Sequence, residues 1–249
     1  AAATPLTANS WPDATRPLSS NQEQMWFVST MGGSSAYNMP VAFEIAAVLD
    51  TALLQVALDA VAARHEVLRT RFELQADGTV AGVVIPAADF HVPVEVVQVS
   101  SHDEEVEQVA AEAARPFKLE VDPLLRVRLL TRTYPGKSGQ VVCFTMHHAV
   151  GDAWSVGVFT KELPKAYAAA LAGSSPEWSP LPIQYADYAA WQRDLLEGDS
   201  GAALRAFWKS TLAGAPSMVQ LPQDRPRPAR PTNVAGSVRT SLPSGLLAN

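Results

Sequence analysis

The spacing of apolar residues divides this chain into strand-like and helix-like segments. Runs rich in β-branched and aromatic residues at 41–47, 68–74, 79–85, 92–99, 124–133 and 140–148 read as strands. The second and third are joined by Gln75-Ala76-Asp77-Gly78, whose Asp-Gly pair signals a hairpin. Leu53, Leu54, Ala57, Leu58 and Val61 recur at helical spacing behind Asp50, placed as an N-cap, and that helix ends near Arg64-His65. Ser20 or Asn21 caps a shorter helix bearing Met25, Trp26 and Phe27, read as core, and Gly32-Gly33-Ser34-Ser35 breaks it. Ser101-His102-Asp103-Glu104 has capping-box spacing and opens an acidic helix through Ala114, which Pro116 terminates.

Asp152 caps a further helix containing Trp154, Phe159 and Leu163, which Pro164 should kink or end. Gly173-Ser174-Ser175-Pro176 marks a boundary, followed by helices at 185–196 and 202–212. Residues 1–16 carry little periodicity and read as a flexible leader, with structure beginning near Leu18. The organisation is therefore a leader at 1–16, a lobe at 17–175, and helices plus a proline-rich segment at 176–249. Hairpins with interspersed helices predict an α/β sandwich with a mixed sheet.

The stretch with most chemical content is Met146-His147-His148-Ala149-Val150-Gly151-Asp152-Ala153-Trp154-Ser155. It ends an apolar strand with two histidines and places an aspartate four residues later, at a helix start. Successive strand side chains point to opposite faces, so His147 and His148 cannot both enter one cleft if the strand continues through them. One should act and the other should be structural. The same divergence argues against a metal site made from two histidines and Asp152, whose ligands must converge. The plainer alternative is that both histidines are packed residues without a chemical role.

Composition narrows the class. Of 249 residues, 47% are apolar, enough for a packed core, and the net charge of −6 with no basic block leaves no electrostatic footprint for nucleic acid. The single cysteine, Cys143, sits inside an apolar strand, reads as a buried hydrophobe and fits a reducing, cytoplasmic setting. No apolar stretch approaches the roughly 20 residues that span a bilayer, so neither secretion nor membrane insertion is expected.

The histidine stretch resembles the HHxxxDG motif of the condensation domains of non-ribosomal peptide synthetases, with Ala153 where the family usually has glycine. Three other segments carry the resemblance. Pro17-Leu18-Ser19-Ser20-Asn21-Gln22-Glu23-Gln24-Met25-Trp26-Phe27 is similar to the family's opening motif. Arg64-His65-Glu66-Val67-Leu68-Arg69-Thr70-Arg71-Phe72 matches RHExLRTxF, and Tyr185-Ala186-Asp187-Tyr188-Ala189-Ala190-Trp191 matches YxDYAxW. Four motifs in family order form a specific signal where each alone is weak.

The resemblance implies the fold of chloramphenicol acetyltransferase, with only one complete lobe present and the start of a second. It implies that 221–228 is an exposed segment before that second lobe, and its prolines favour an extended, partly mobile strip. It implies amide-bond formation, an acyltransferase reaction of antibiotic-type biosynthesis. The acceptor's α-amine attacks a donor thioester, both held on peptidyl carrier proteins within a synthetase. The phosphopantetheine arm belongs to those carriers, and no cofactor or metal is expected in the chain.

By the same resemblance His148 is the catalytic residue and His147 is structural. Asp152 is the ion-pair partner of an arginine, Arg64 first and Arg69 second. Ala153 marks the backbone near the developing oxyanion, where a methyl could narrow the channel, and Trp154 and Ser155 are packing and helix-start residues. Tyr185, Asp187 and Trp191 read as structural. Three rival activities remain: a non-catalytic carrier-docking scaffold, an epimerisation domain, and a stand-alone acyltransferase using a coenzyme A thioester.

Overall fold

The computed structural model describes residues 5–32, 34–219, 221–226, 238, 240–241 and 243–247. In chain order the elements are β1 (Thr15–Arg16), α1 (Ser20–Thr30), β2 (Asn38–Ile45), α2 (Thr51–Arg64), β3 (Thr70–Leu74), β4 (Val80–Val84) and β5 (Val94–Val99). There follow α3 (His102–Ala114), β6 (Leu125–Arg132), β7 (Gln140–His147), α4 (Ala153–Leu171), α5 (Tyr185–Glu197) and α6 (Asp199–Thr211). Among the described residues the strands form two sheets, of order β2-β7-β6-β5 and β1-β4-β3. Within the larger, β5 runs parallel to β6 while β2, β7 and β6 are mutually antiparallel, so the sheet is mixed, as its hairpins and helices predicted.

The two faces of the larger sheet are built differently. On β6, Leu125, Val127 and Leu129 face one way, and on β7, Val142, Phe144 and Met146 do the same; all join the main core. That core is closed by Leu54, Leu58 and Val61 of α2 and by Phe159 and Leu163 of α4, which packs along α2. The intervening residues Arg126, Arg128 and Arg132 face the α3 side and meet acidic partners on α3 and β5. Arg126 bonds Glu112, Arg128 bonds Glu95 at 2.7 Å, and Arg132 grips Glu105 at 2.6 and 2.9 Å.

Local signals explain the helix starts. Asp50 accepts from the amides of Ala52 and Leu53, and Asp152 from that of Ser155, so both predicted caps form. The first helix is capped one residue earlier than expected, by Ser19, whose backbone N–H donates in turn to Gln22 Oε1. At α3, Ser101 caps as expected, but the reciprocal half of the box is displaced: Glu104 accepts from Ser100 N–H, not from Ser101. The β3–β4 hairpin closes through Gln75 N–H to Thr79 O, with Gly78 at φ 84° in the left-handed region that glycine favours.

Several expectations are corrected. Ordered pairing begins before Leu18, because Thr15 and Arg16 pair with β4 as an edge strand. Pro164 does not end its helix: α4 continues to Leu171, held against α2 although proline supplies no N–H to the preceding turn. Phe27 is not core, being 60% exposed, whereas Met25 and Trp26 pack on the core. Leu221 to Pro226 carries no regular structure; residues 1–4, Gly33, Arg227 and Pro228, and the segment 229–237, expected to lead into a second lobe, lie outside the described residues.

Candidate active site

The strand ends where the sequence suggested, and the end is a tight turn. Val150 N–H donates to His147 O at 3.0 Å, so β7 stops at His147 and His148 occupies the turn. His147 is fully buried on the α3 face, edge-on to Phe117 with ring centroids 5.8 Å apart and 6.2 Å from Tyr37. Its Nδ1 accepts from Ala149 N–H at 3.1 Å, which makes the ring a brace inside its own turn. His148 is exposed and lines a cleft of about 550 Å³. The two histidines thus lie in opposite surroundings, one buried and one exposed, with the strand ending between them.

Two further bonds hold the turn from outside. His148 N–H donates to Tyr37 O at 2.9 Å, and Gln22 Nε2 donates to Ala149 O at 3.0 Å. Gln22 is 3% exposed, and its place in an opening motif gives no hint of this contact. Such a contact spans 127 positions of sequence, so no local pattern could reveal it. Gly151 is a second residue that sequence reasoning missed. A Cβ there would lie 2.3 Å from Met146 Sδ and 3.1 Å from Ser155 Cβ, so a larger residue would force the buried Met146 side chain to shift where the turn meets the start of α4.

The cleft runs along α4. Asp152, Ser155, Phe159 and Glu162 recur at helical spacing, and the first three line it. At its far end His65, also a lining residue, bonds Glu162 through Nε2 at 2.6 Å. Between these ends the wall is largely apolar, with Met25, Val61 and Leu181, and Tyr185 stands at the side nearest Ser19.

Asp152 is not the ion-pair partner of Arg64 or Arg69. Its Oδ1 takes Ser155 N–H and Ser155 Oγ–H, each at 2.8 Å, and these bonds, with a smaller contribution from His148, hold its carboxyl below the usual carboxylate range. Arg64 bonds Glu162 Oε1 at 3.0 Å and Ser179 O at 2.8 Å, and lies over the Trp178 ring at 5.1 Å. Arg69 pairs with Glu66 at 3.6 Å and donates to Ile85 O. The physical reason is helix geometry: Glu162 lies ten residues along α4 from Asp152, about 15 Å at 1.5 Å per residue, and the end of α2 lies beside Glu162. The glutamate at 162 and Gln184, which bonds Arg64 O and Glu66 N–H, were not singled out from the sequence.

The remaining residues separate cleanly. Ser155 lines the cleft and Trp154 does too, but Trp154 is 82% exposed and does not pack as expected. Ala153 is exposed at the first position of α4, and among the described residues the cleft wall passes through Gly151, Asp152, Trp154 and Ser155 without its methyl. Tyr185 bonds Ser19 Oγ at 3.0 Å, and buried Asp187 accepts from Gln184 N–H and from Asn9, tying the N-terminal segment to α5. Cys143 is buried and its thiol is pushed up to about 11 by burial, consistent with an inert hydrophobe. Among the described residues no group of three or more metal-binding side chains converges, and no helix is long and apolar enough to cross a membrane.

The α/β lobe with its mixed sheet aligns with solved condensation domains, which have a chloramphenicol acetyltransferase-like fold, and known proteins give the family. The family model "Condensation domain" matches residues 13–249, and the chain belongs to that family. It is 40% identical over 243 residues to a component of the linear gramicidin synthase of Brevibacillus parabrevis, covering 95% of this chain and 3% of the relative. It is 39% identical to a dimodular nonribosomal peptide synthase of Bacillus subtilis (strain 168), covering 87% of this chain and 9% of the relative. The crystal structure of the X-domain from teicoplanin biosynthesis aligns with TM-score 0.80 and 33% identity over 92% of this chain and 50% of that one. The first condensation domain of the calcium-dependent antibiotic synthetase aligns with TM-score 0.68 and 22% identity, over 82% of this chain and 48% of its own. The chain therefore spans about half the length of these solved domains and a small fraction of the curated relatives.

Proposed function

We propose that this chain supplies the histidine-bearing half of a site that forms a peptide bond between two carrier-tethered substrates. The observation that carries this reading is the divergence of the histidine pair: His147 is locked in the core while His148 stands on a pinned turn in an open cleft, beside the N-terminus of α4. In this reading the acceptor α-amine attacks the donor thioester carbonyl, the C–N bond forms, the tetrahedral oxyanion collapses, and the thiolate of the donor carrier leaves.

An α-amine with pKa near 8 is already roughly a tenth neutral at pH 7, so freeing its first proton costs only about 1.4 kcal/mol. His148 then serves best by orienting the amine and accepting the second proton as the bond forms. In this reading the Ala153 amide, at the first helical position and without an acceptor within the helix, donates to the developing oxyanion, while the Asp152 carboxylate offsets the partial positive charge of that helix end. The partners in this reading are donor and acceptor peptidyl carriers with their phosphopantetheine arms, within a cytoplasmic synthetase.

The test is mass spectrometry of the acceptor carrier after loaded donor and acceptor carriers are mixed with the condensation domain that contains this chain, wild type beside His148→Ala. Extended product from wild type and none from a folded His148→Ala variant is the expected result. Equal product from both would remove His148 from the chemistry.

A second reading, a docking module without turnover, is favoured by one observation. Two solved X-domain structures, one of them in complex with OxyB, align better (TM-scores 0.82 and 0.80, 31% and 33% identity) than five solved condensation-domain structures (0.67 to 0.68, 20 to 22%). No product from wild type, with carriers or another protein still bound, would select it. An epimerisation domain also shares the fold, with TM-score 0.70 at 19% identity, and deuterium exchange at the donor α-carbon without bond formation is the outcome that would mark that activity.

A further inference from the structure

We infer that Gln22 is a positioning residue for His148, the central member of a hydrogen-bonded relay that joins a cleft-lining tyrosine to the histidine turn. The relay rests on the function proposed above only for its kinetic consequence; its structural half stands alone. It starts at Tyr185, whose hydroxyl lies 3.0 Å from Ser19 Oγ. The backbone N–H of Ser19 donates to Gln22 Oε1 at 3.0 Å, and Gln22 Nε2 donates to Ala149 O at 3.0 Å, one residue beyond His148. Both ends of the one amide are thus committed, the oxygen to the start of α1 and the nitrogen to the turn.

Burial gives these bonds weight. Ser19 is fully buried and Gln22 nearly so, and an amide removed from water is held firmly when both its oxygen and its nitrogen are satisfied. The bond to Ala149 O reaches the turn from outside, from α1. His148 N–H is held by Tyr37 O, and Ala149 N–H by the His147 ring, but the Ala149 carbonyl is held by Gln22. Rotation of the peptide between Ala149 and Val150 would swing His148 relative to α4; the Val150 N–H bond to His147 O opposes that rotation from within the turn, and Gln22 opposes it from outside. Tyr185 and Gln22 themselves line the cleft with His148, so a substrate pressing on the Tyr185 ring acts on the same relay.

Two substitutions separate positioning from capping. Gln22→Glu keeps an acceptor for Ser19 N–H but turns the Ala149 contact into one between two oxygens. Gln22→Met keeps the volume and loses both bonds. Each is read in two ways. In the first, 13C and 15N resonances of the five histidines are recorded through a pH titration, needing no substrate. The expected result is displacement of the His148 resonances, and a change in its titration, with those of surface His91 and His102 unmoved. In the second, carrier-to-carrier condensation is followed with the whole condensation domain. The expected result is a fall in kcat of about 10- to 100-fold, the size that a misplacement of about 1 Å produces, with KM for both loaded carriers within about 2-fold. Tyr185→Phe should give a smaller fall of the same kind.

Unchanged His148 resonances in Gln22→Glu overturn the inference whatever the turnover. So does a lowered melting temperature accompanied by wild-type kcat per folded molecule, which would leave Gln22 as an ordinary helix cap. Displaced His148 resonances in a protein whose wild type forms no bond would uphold the relay while removing the peptide-forming reading.

Discussion

The two faces of the larger sheet bury their side chains by opposite means. Toward α2 and α4, Leu125, Val127, Leu129, Val142, Phe144 and Met146 interlock with apolar helix residues, and Phe144 meets Phe159 with ring centroids 4.7 Å apart. Toward α3, arginines of β6 reach glutamates of α3 and β5: Arg126 is shared between Glu112 and backbone carbonyls at the end of α3, and its guanidinium lies 3.8 Å from the Phe117 ring centre. The apolar face is non-directional and tolerates adjustment. The charged face fixes α3 at particular points, and the same layer, through Phe117, encloses His147. The face that costs more to bury is the one that holds the buried histidine of the pair.

The largest effects should come from testing that contrast directly. Phe144→Ala opens a cavity on the apolar face and should cost about 3 to 5 kcal/mol in urea unfolding. Glu112→Leu leaves Arg126 buried without its carboxylate and should cost a similar amount, about 3 to 5 kcal/mol. The faces then part company. Adding Arg126→Met to Glu112→Leu should recover most of the loss, because the pair's desolvation cost disappears with the charges, whereas a second apolar truncation beside Phe144 should deepen it. Failure of the double variant to recover would show the ladder to be a net source of stability.

Acid should act on the charged face first. The Arg132 guanidinium holds the Glu105 carboxyl at about 2, against an ordinary 4.5, with help from the Tyr134 hydroxyl. A depressed carboxyl stabilises the fold above its unfolded value, so this contribution is complete above about pH 4.5 and is lost as pH falls toward 2. Unfolding midpoints measured from about pH 6 down to about pH 3 should therefore fall more steeply for wild type than for Glu105→Gln. Parallel profiles would mean that the Arg132 contact contributes nothing net.

The smallest effect belongs to Asp152. As an exposed cap bonded, among the described residues, within its own helix start, it should cost about 1 kcal/mol on replacement by alanine, not the several that loss of a buried ion pair would bring. Thermal unfolding of Asp152→Ala beside Arg64→Ala distinguishes the two, since Arg64 joins α2 to Glu162 and to the carbonyl of Ser179.

What the sequence by itself determined is what depends on neighbours along the chain. The continuous apolar run ending at Met146-His147 announced the strand and its end beside the histidines, and Asp50, Ser101 and Asp152 announced their helices, because cap bonds close within three residues. The four motifs carried the family for the same reason: they are contiguous strings. Only the tertiary structure decided which charge meets which. Arg64 goes to Glu162 instead of Asp152, Gln22 reaches across 127 positions to Ala149, Trp154 stays in the open, and Pro164 is carried through a helix packed on α2. An ion pair or a long-range hydrogen bond is chosen by distance and by the desolvation that packing imposes, and neither exists until the helices lie on the sheet.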